Sequence, residues 1–325
     1  MRESVLVIGG ATWDILFEVE QASLLPGKSR ELPVLAFPYG GKVDAHNVTY
    51  GFGGGAANVA VGLRRLGVRA DILTRVGSDW RGHEVVVNLR SHRVGLGLAQ
   101  VERKHETALS FIVTTGGARD HVAFVARGAS ARLELPTSVP ATYTWLYVTA
   151  LVLEHWAPKL VRLFRQAKQQ GRRVFWNPGA VQLQRPRQVA QLARYITVLD
   201  LNLEEASDLA RGLRFSWRGV RELTEKLQRL GCQGVLVTAG EKGAYIREGR
   251  RFTFERSRNV EPTNTTGAGD AFGSGFVAGL ISSGATLAGM RWGMLNASSV
   301  ICHVGPQRGL LTKSALKRLA KRYAR

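Results

Sequence analysis

The chain contains only two cysteines, Cys232 and Cys302, among its 325 residues. Thiols so few and so far apart exclude a disulfide framework and a cysteine metal cluster, and a reducing, cytoplasmic setting is the expectation. A secretory leader is also missing: the apolar run at residues 5–10 is short and meets Thr12, Trp13 and Asp14 at once, so secretion is not expected. Long apolar runs are absent with one exception. Residues 271–290 carry no charge, but glycine, serine and threonine dilute them and Gly284 interrupts them. That pattern predicts two packed core helices and no membrane span. Acidic residues are scarce, 25 against 45 basic ones, leaving a formal charge of +20. Such an excess admits phosphorylated ligands, nucleic acid or an anionic membrane as partners. No basic run interleaved with aromatics marks a nucleic-acid module, and the densest run (Lys313, Lys317, Arg318, Lys321, Arg322, Arg325) reads as a solvated helix face. Repeats and low-complexity tracts are also absent, so solenoid and fibrous architectures fall away.

Glycine is plentiful, with 37 residues clustered beside apolar runs instead of repeating at a fixed period. Tight turns and close backbone approach to a ligand are the expected use. Short apolar strands are predicted at 5–8, 70–75, 145–148, 174–176, 198–201 and 235–238, and a hairpin across Gly249. Helices are predicted at 56–66, 80–92, 156–170, 216–230, 269–282, 292–301 and from Lys313. This alternation predicts an α/β fold whose mainly parallel sheet is wrapped by helices. Two stretches break it, residues 15–50 and 105–127, where proline, glycine and β-like pieces predict an inserted flap. Ligands in such sheets sit beyond the carboxyl ends of the strands.

The loops there carry four groups of candidate residues. Asn264-Thr265-Thr266-Gly267-Ala268-Gly269-Asp270 opens an uncharged helix, where unpaired amides and the helix dipole make a phosphate site. Asp270 inside that turn is either a general base or an ordinary acidic first-turn residue. A dinucleotide turn fits poorly, because no acidic residue follows at the right distance in a βαβ unit. Gly53-Gly54-Gly55 with Asn58 allows a polar ligand to lie against backbone, or merely close helix packing. Asp14 is a diol acceptor or a turn carboxylate. Asn202 and Glu205 have capping-box spacing and also suit hydrated magnesium near phosphates. Thr238, Gly240 and Gly243 are nucleotide contacts or a plain turn.

Taken together and in order, these pieces resemble the ribokinase or pfkB family of carbohydrate kinases along nearly the whole chain. Gly54 to Asn58, Leu66-Gly67 and Val76-Gly77-Ser78-Asp79 with Gly82 are similar to its amino-terminal signature, and Thr265 to Phe272 to its carboxyl-terminal one. The resemblance implies a single domain over residues 1–325, with a three-layer α/β/α core and a small β-sheet lid that often pairs with a second subunit. It implies an ATP- and Mg²⁺-dependent kinase acting on a hydroxymethyl group of a sugar, or alternatively on a nucleoside. Asp270 would be the base, with amides of Gly267, Ala268 and Gly269 as the anion hole. Asp14, Gly54 and Asn58 would bind the sugar. Asn202 and Glu205 would organise magnesium and phosphates, with Thr238, Gly240, Gly243 and Asn296 around the nucleotide. Similar kinases carry Asp where Asn264 stands, and that residue supports a monovalent cation such as K⁺; losing its charge weakens cation binding. Trp13, Phe37 and Tyr39 either stack on a base or pack the lid. A nucleic-acid-binding protein and an NAD(P)-dependent oxidoreductase are the readings from other classes.

Overall fold

A computed structural model describes residues 3–20, 22–25, 34–115 and 121–322. Its main sheet has eight strands in the order Arg251–Glu255, Ala244–Glu248, Gly234–Thr238, Val198–Asn202, Arg173–Trp176, Trp145–Val148, Ser4–Ile8 and Arg69–Leu73. The last six of these are parallel, and the hairpin across Gly249 adds the two antiparallel edge strands. Parallel strands covered on both faces read as unbroken apolar runs, as Val5 to Ile8 does. Val5 and Val7 face one core with the helices Gly55–Arg65, Ala268–Ser283 and Thr286–Val300. Leu6 and Ile8 face a second core with Trp156–Gln169, Pro186–Ala193, Leu203–Gly212 and Gly219–Gln228. The result is a three-layer α/β/α architecture.

The uncharged stretch folds as two helices divided at Gly284. They pack through glycines: a methyl on Gly275, Gly279, Gly289 or Gly293 would stand 2.7–2.8 Å from a backbone oxygen of the opposite helix. Among the described residues no helix is long and apolar enough to cross a membrane. The second helix starts at Thr286, six residues before the expected Trp292, because its first turns are small residues with little periodic signal. The strand expected at 70–75 is divided at Thr74; Arg75–Gly77 pairs instead with Gln100–Glu102.

A second, four-stranded sheet comes from the inserted segments, in the order His121–Ala126, Leu109–Thr115, Thr12–Val19, Ala45–Gly53. It begins at Thr12, so Asp14 lies within a lid strand and not in a turn. The strands Ser23–Leu25 and Val34–Ala36 form a separate pair, while Gln21, 26–33 and 116–120 of the expected flap lie outside the described residues. One face of the lid turns inward with Asp14, Leu16, Ser110 and Ile112. The other is apolar and open: Tyr50, Ile15, Phe111 and Phe124 align across all four strands, and Tyr50 and Phe124 are exposed. At the carboxyl end Leu316 is buried while Lys313, Lys317, Arg318, Lys321 and Arg322 are exposed, the solvated helix face expected; Arg325 lies outside the described residues.

Candidate active site

The helix Ala268–Ser283 starts on Gly267, which has a φ of 80° and no side-chain cap. A methyl there would stand 2.4 Å from Pro306 Cβ, so glycine is required by conformation and by space. The Ala268 amide donates to the Thr265 carbonyl at 3.2 Å and the Ala271 amide to the Gly267 carbonyl at 2.9 Å. The Gly269 and Asp270 amides meet no acceptor among the described residues. Of the residues expected to form an anion hole, Ala268 has its amide occupied within the turn, while that of Gly269 is left open among the described residues. A methyl on Gly269 would meet nothing within 4 Å, so this turn opens onto space.

That space is a cavity of about 930 Å³, lined by Ala268, Gly269, Thr265, Thr238, Gly240 and Gly243 among others. Its size suits a nucleotide-sized ligand. Thr238, Gly240 and Gly243 are therefore brought together with the helix start. Asn296 is not. It is fully buried, donates to the Ala271 carbonyl at 2.8 Å and accepts from the Leu311 amide at 2.9 Å. Its side chain pins the loop after Val300 to the helix of Asp270, and it is not among the residues lining the large cavity.

On the other side of the same turn Asp270 Oδ2 accepts a 2.8 Å hydrogen bond from Asn58 Nδ2. The residue keeps some solvent-accessible surface, yet its carboxyl lies among protein atoms. Desolvation raises its pKa to about 6 against the lowering by Asn58. Asn58 projects from the first turns of Gly55–Arg65, a helix capped by Gly54 at a φ of 87°. A methyl on Gly54 would stand 2.5 Å from the Gly10 carbonyl oxygen, which accepts from the Ala56 and Ala57 amides. Gly54 and Gly55 line a small cavity of about 90 Å³ with Gly10, Thr12, Ala108 and Arg127 among others, and a methyl on Gly55 would come within 3.3 Å of Asp270 Oδ1. Asp14 is buried beside it, accepts from Thr12 Oγ1 at 2.7 Å, and has its pKa raised to about 6 by desolvation despite hydrogen bonds from Thr12 and Ser110. A methyl on Gly53 would collide with Asp14 Oδ2 at 1.9 Å, so Gly53 makes the space for that carboxylate.

Asn202 and Glu205 form a reciprocal capping box, with both hydrogen bonds at 2.8 Å. Burial raises the Glu205 pKa, and the Glu205 and Asp270 charges add to the burial that raises Asp200 well above the carboxylate range. Asp200 is buried in Val198–Asn202 and was missed in the sequence; its signal was a carboxylate inside an apolar strand. Among the described residues no group of three or more His, Cys, Asp or Glu forms a metal cluster. Asn264 is buried and its Oδ1 accepts from the Thr266 amide at 3.0 Å. Asp79 begins the helix Trp80–Ser91 and accepts from Gly82 and Thr107. Burial opposes ionisation there, but these hydrogen bonds outweigh it and hold the carboxyl below its usual range. That part of the amino-terminal signature ties the lid to the core. The lid also reaches the helix start, where Thr266 Oγ1 and His121 Nδ1 are 3.4 Å apart.

A helix start with free amides, set between a nucleotide-sized cavity and a carboxylate beside a lid, is the arrangement of a phosphotransferase on a ribokinase-like fold. The model of the pfkB family of carbohydrate kinases matches residues 28–313, and the chain belongs to that family. It is a sugar or nucleoside kinase. The chain is 26% identical over 269 residues to a ribokinase of Bacillus subtilis, covering 82% of this chain and 87% of that protein. The fold matches a nucleoside kinase of Burkholderia thailandensis in complex with inosine, with a TM-score of 0.79 at 19% identity and 99% of both chains covered. It also matches a ribokinase of Arabidopsis thaliana complexed with ribose and ATP, with a TM-score of 0.80 at 19% identity and 99% of both chains covered.

Proposed function

We propose that this chain, acting as one kinase domain, transfers the γ-phosphoryl group of ATP to a hydroxymethyl group of a sugar, with Asp270 as general base. One observation carries the reading: Asp270 follows Gly269, which lines the large cavity, and its carboxyl lies beside Gly55, which lines the small one. The alcohol proton goes to the Asp270 carboxylate as the oxygen attacks phosphorus. The Gly269 and Asp270 amides stabilise charge on the phosphoryl oxygens, and the lid excludes water. Thr238, Gly240 and Gly243 border the nucleotide, and Asp14, Gly54 and Asn58 orient the sugar. Glu205, whose carboxylate accepts from the Asn202 amide, would with Asn202 hold a magnesium ion largely through water and phosphate. Bound there, magnesium would neutralise phosphate charge. Asn264 lacks the negative charge that would favour a monovalent cation, so such an ion would bind weakly there, and no step depends on one.

A sugar suits the small cavity better than a nucleoside, because none of its lining residues is aromatic. Trp13 packs against Phe52 and Trp80 with ring centroids 5.2 and 5.1 Å apart on the lid face opposite Asp14. A second copy of the chain is the natural cover for the open apolar lid face. The test is a panel of ribose, fructose, sugar acids and nucleosides with magnesium ATP, run beside Asp270→Asn. A sugar should be turned over, with kcat falling on the order of 100-fold or more in the variant. Wild-type turnover by Asp270→Asn would remove the base assignment, and preference for nucleosides would replace the substrate.

A further inference from the structure

Asn58 is the middle link of a longer chain of amides. Its Oδ1 accepts from Gln307 Nε2 at 3.0 Å, and Gln307 Oε1 accepts from Asn88 Nδ2 at 3.0 Å. The three residues come from three places: the helix Gly55–Arg65, the loop between Val300 and Lys313, and the outer helix Trp80–Ser91. The loop is held from several sides. Asn296 binds the Leu311 amide, Arg65 Nε donates to the Leu310 carbonyl at 2.7 Å, and Pro306 lies against Gly267.

The direction of every bond follows from its inner end. An ionised carboxylate only accepts, so Asn58 must present its NH₂ to Asp270. Its oxygen then needs a donor, which obliges Gln307 to present Nε2, and Gln307 Oε1 in turn needs the NH₂ of Asn88. We infer that Gln307 and Asn88 are positioning residues that lock the Asn58 amide with its donor edge towards Asp270, and so govern the ionised state of the acid. The inference rests on the reading of Asp270 as the base. The other titratable groups facing Asp270 are Tyr147 and Asp200 from the sheet. Near the outer end stand His92, one turn beyond Asn88, and Arg65.

Asn88→Asp places an acceptor-only group at the outer end. Gln307 must then turn Nε2 outward and Oε1 inward, Asn58 must donate to Gln307, and the oxygen of Asn58 faces Asp270. The experiment is an isotope-edited infrared titration of the Asp270 carboxyl in the full chain without substrate, its band assigned by Asp270→Asn, together with kcat and KM for the preferred sugar. Asn88→Asp should raise the Asp270 titration by about one pH unit and lower kcat about tenfold below that point, with KM for ATP unchanged. Placing Asn88→Asp in a Gln307→Met background should produce no further shift, because the link is cut. Should Asn88→Asp fold poorly, Gln307→Glu makes the same inversion one link closer. A titration unmoved by Asn88→Asp and by Gln307→Glu would overturn the inference. An equal shift with and without Gln307 would also overturn it, showing plain charge repulsion. The infrared result stands apart from the base assignment, which fails only if Asp270→Asn turns over normally.

Discussion

Among the described residues two helices have as their N-cap a glycine with positive φ and no side-chain cap, Gly54 and Gly267. In sequence both are small-residue runs ahead of a polar side chain, and either could cradle a phosphate. They differ in where their amides go. At the first, the Gly10 carbonyl takes the Ala56 and Ala57 amides, and the joint becomes a rigid mount for Asn58. At the second, the Gly269 and Asp270 amides have no acceptor among the described residues, and the turn opens onto the large cavity. A glycine-rich helix start is an anion site only when no carbonyl plugs it, and that depends on a residue far away in the chain.

The largest contrast should come from adding one methyl to each start. Gly54→Ala meets an unfavourable φ and the Gly10 carbonyl, and should destabilise the protein by about 3 kcal/mol, lowering Tm by roughly 5–10 °C. Gly269→Ala meets neither obstacle and should leave Tm within about 2 °C, while kcat/KM for magnesium ATP falls about tenfold. Thermal melts beside steady-state kinetics check both, and equal melting losses would abolish the distinction.

A smaller effect is expected from pH. Desolvation raises Asp270 to about 6, so the base is protonated below that value and kcat should rise through pH 6 to a plateau. The linkage to stability has the opposite sense. Asp14 and Asp270 both bind protons more tightly folded than unfolded, so their contribution falls as pH rises from about 4 to 6 and stays low above. Asp270→Asn should therefore melt higher than the parent at pH 7.5, with the gap closing towards pH 4. A gap that widens in acid would contradict the assigned desolvation.

The smallest effect concerns the loop before the second start. Asn264→Asp keeps an oxygen for the Thr266 amide and adds a negative charge. Its Tm should change little, and potassium should now raise kcat a few-fold where the parent responds weakly. Titrating KCl against NaCl at constant ionic strength measures it.

Much of the fold was legible in the residues. The apolar runs at 5–8, 145–148 and 235–238 announced buried parallel strands, and Gly284 announced the break between two core helices. Asn202 and Glu205 announced the capping box they form. The sequence carries no sign of the buried hydrogen bonds of Asn296, because an asparagine inside a helix looks alike whether it faces a ligand or binds a neighbouring carbonyl. The residues around Asp14 read as well as a turn as a strand, because lid strands alternate only weakly when one face remains open. Asp200, Asn88 and Gln307 gave little local signal, since their partners lie on other elements.

The sequence alone determined the order of strands and helices, the two glycine starts and the acidic residue in the second, because periodicity, left-handed turns and helix capping act over a few neighbouring residues. Only the tertiary structure decided which amides remain free, which carboxyls lose water, and that Asn88, Gln307 and Asn58 line up on Asp270. Hydrogen-bond partners and desolvation are set by atoms brought together across more than 200 residues of chain, and no local pattern encodes them.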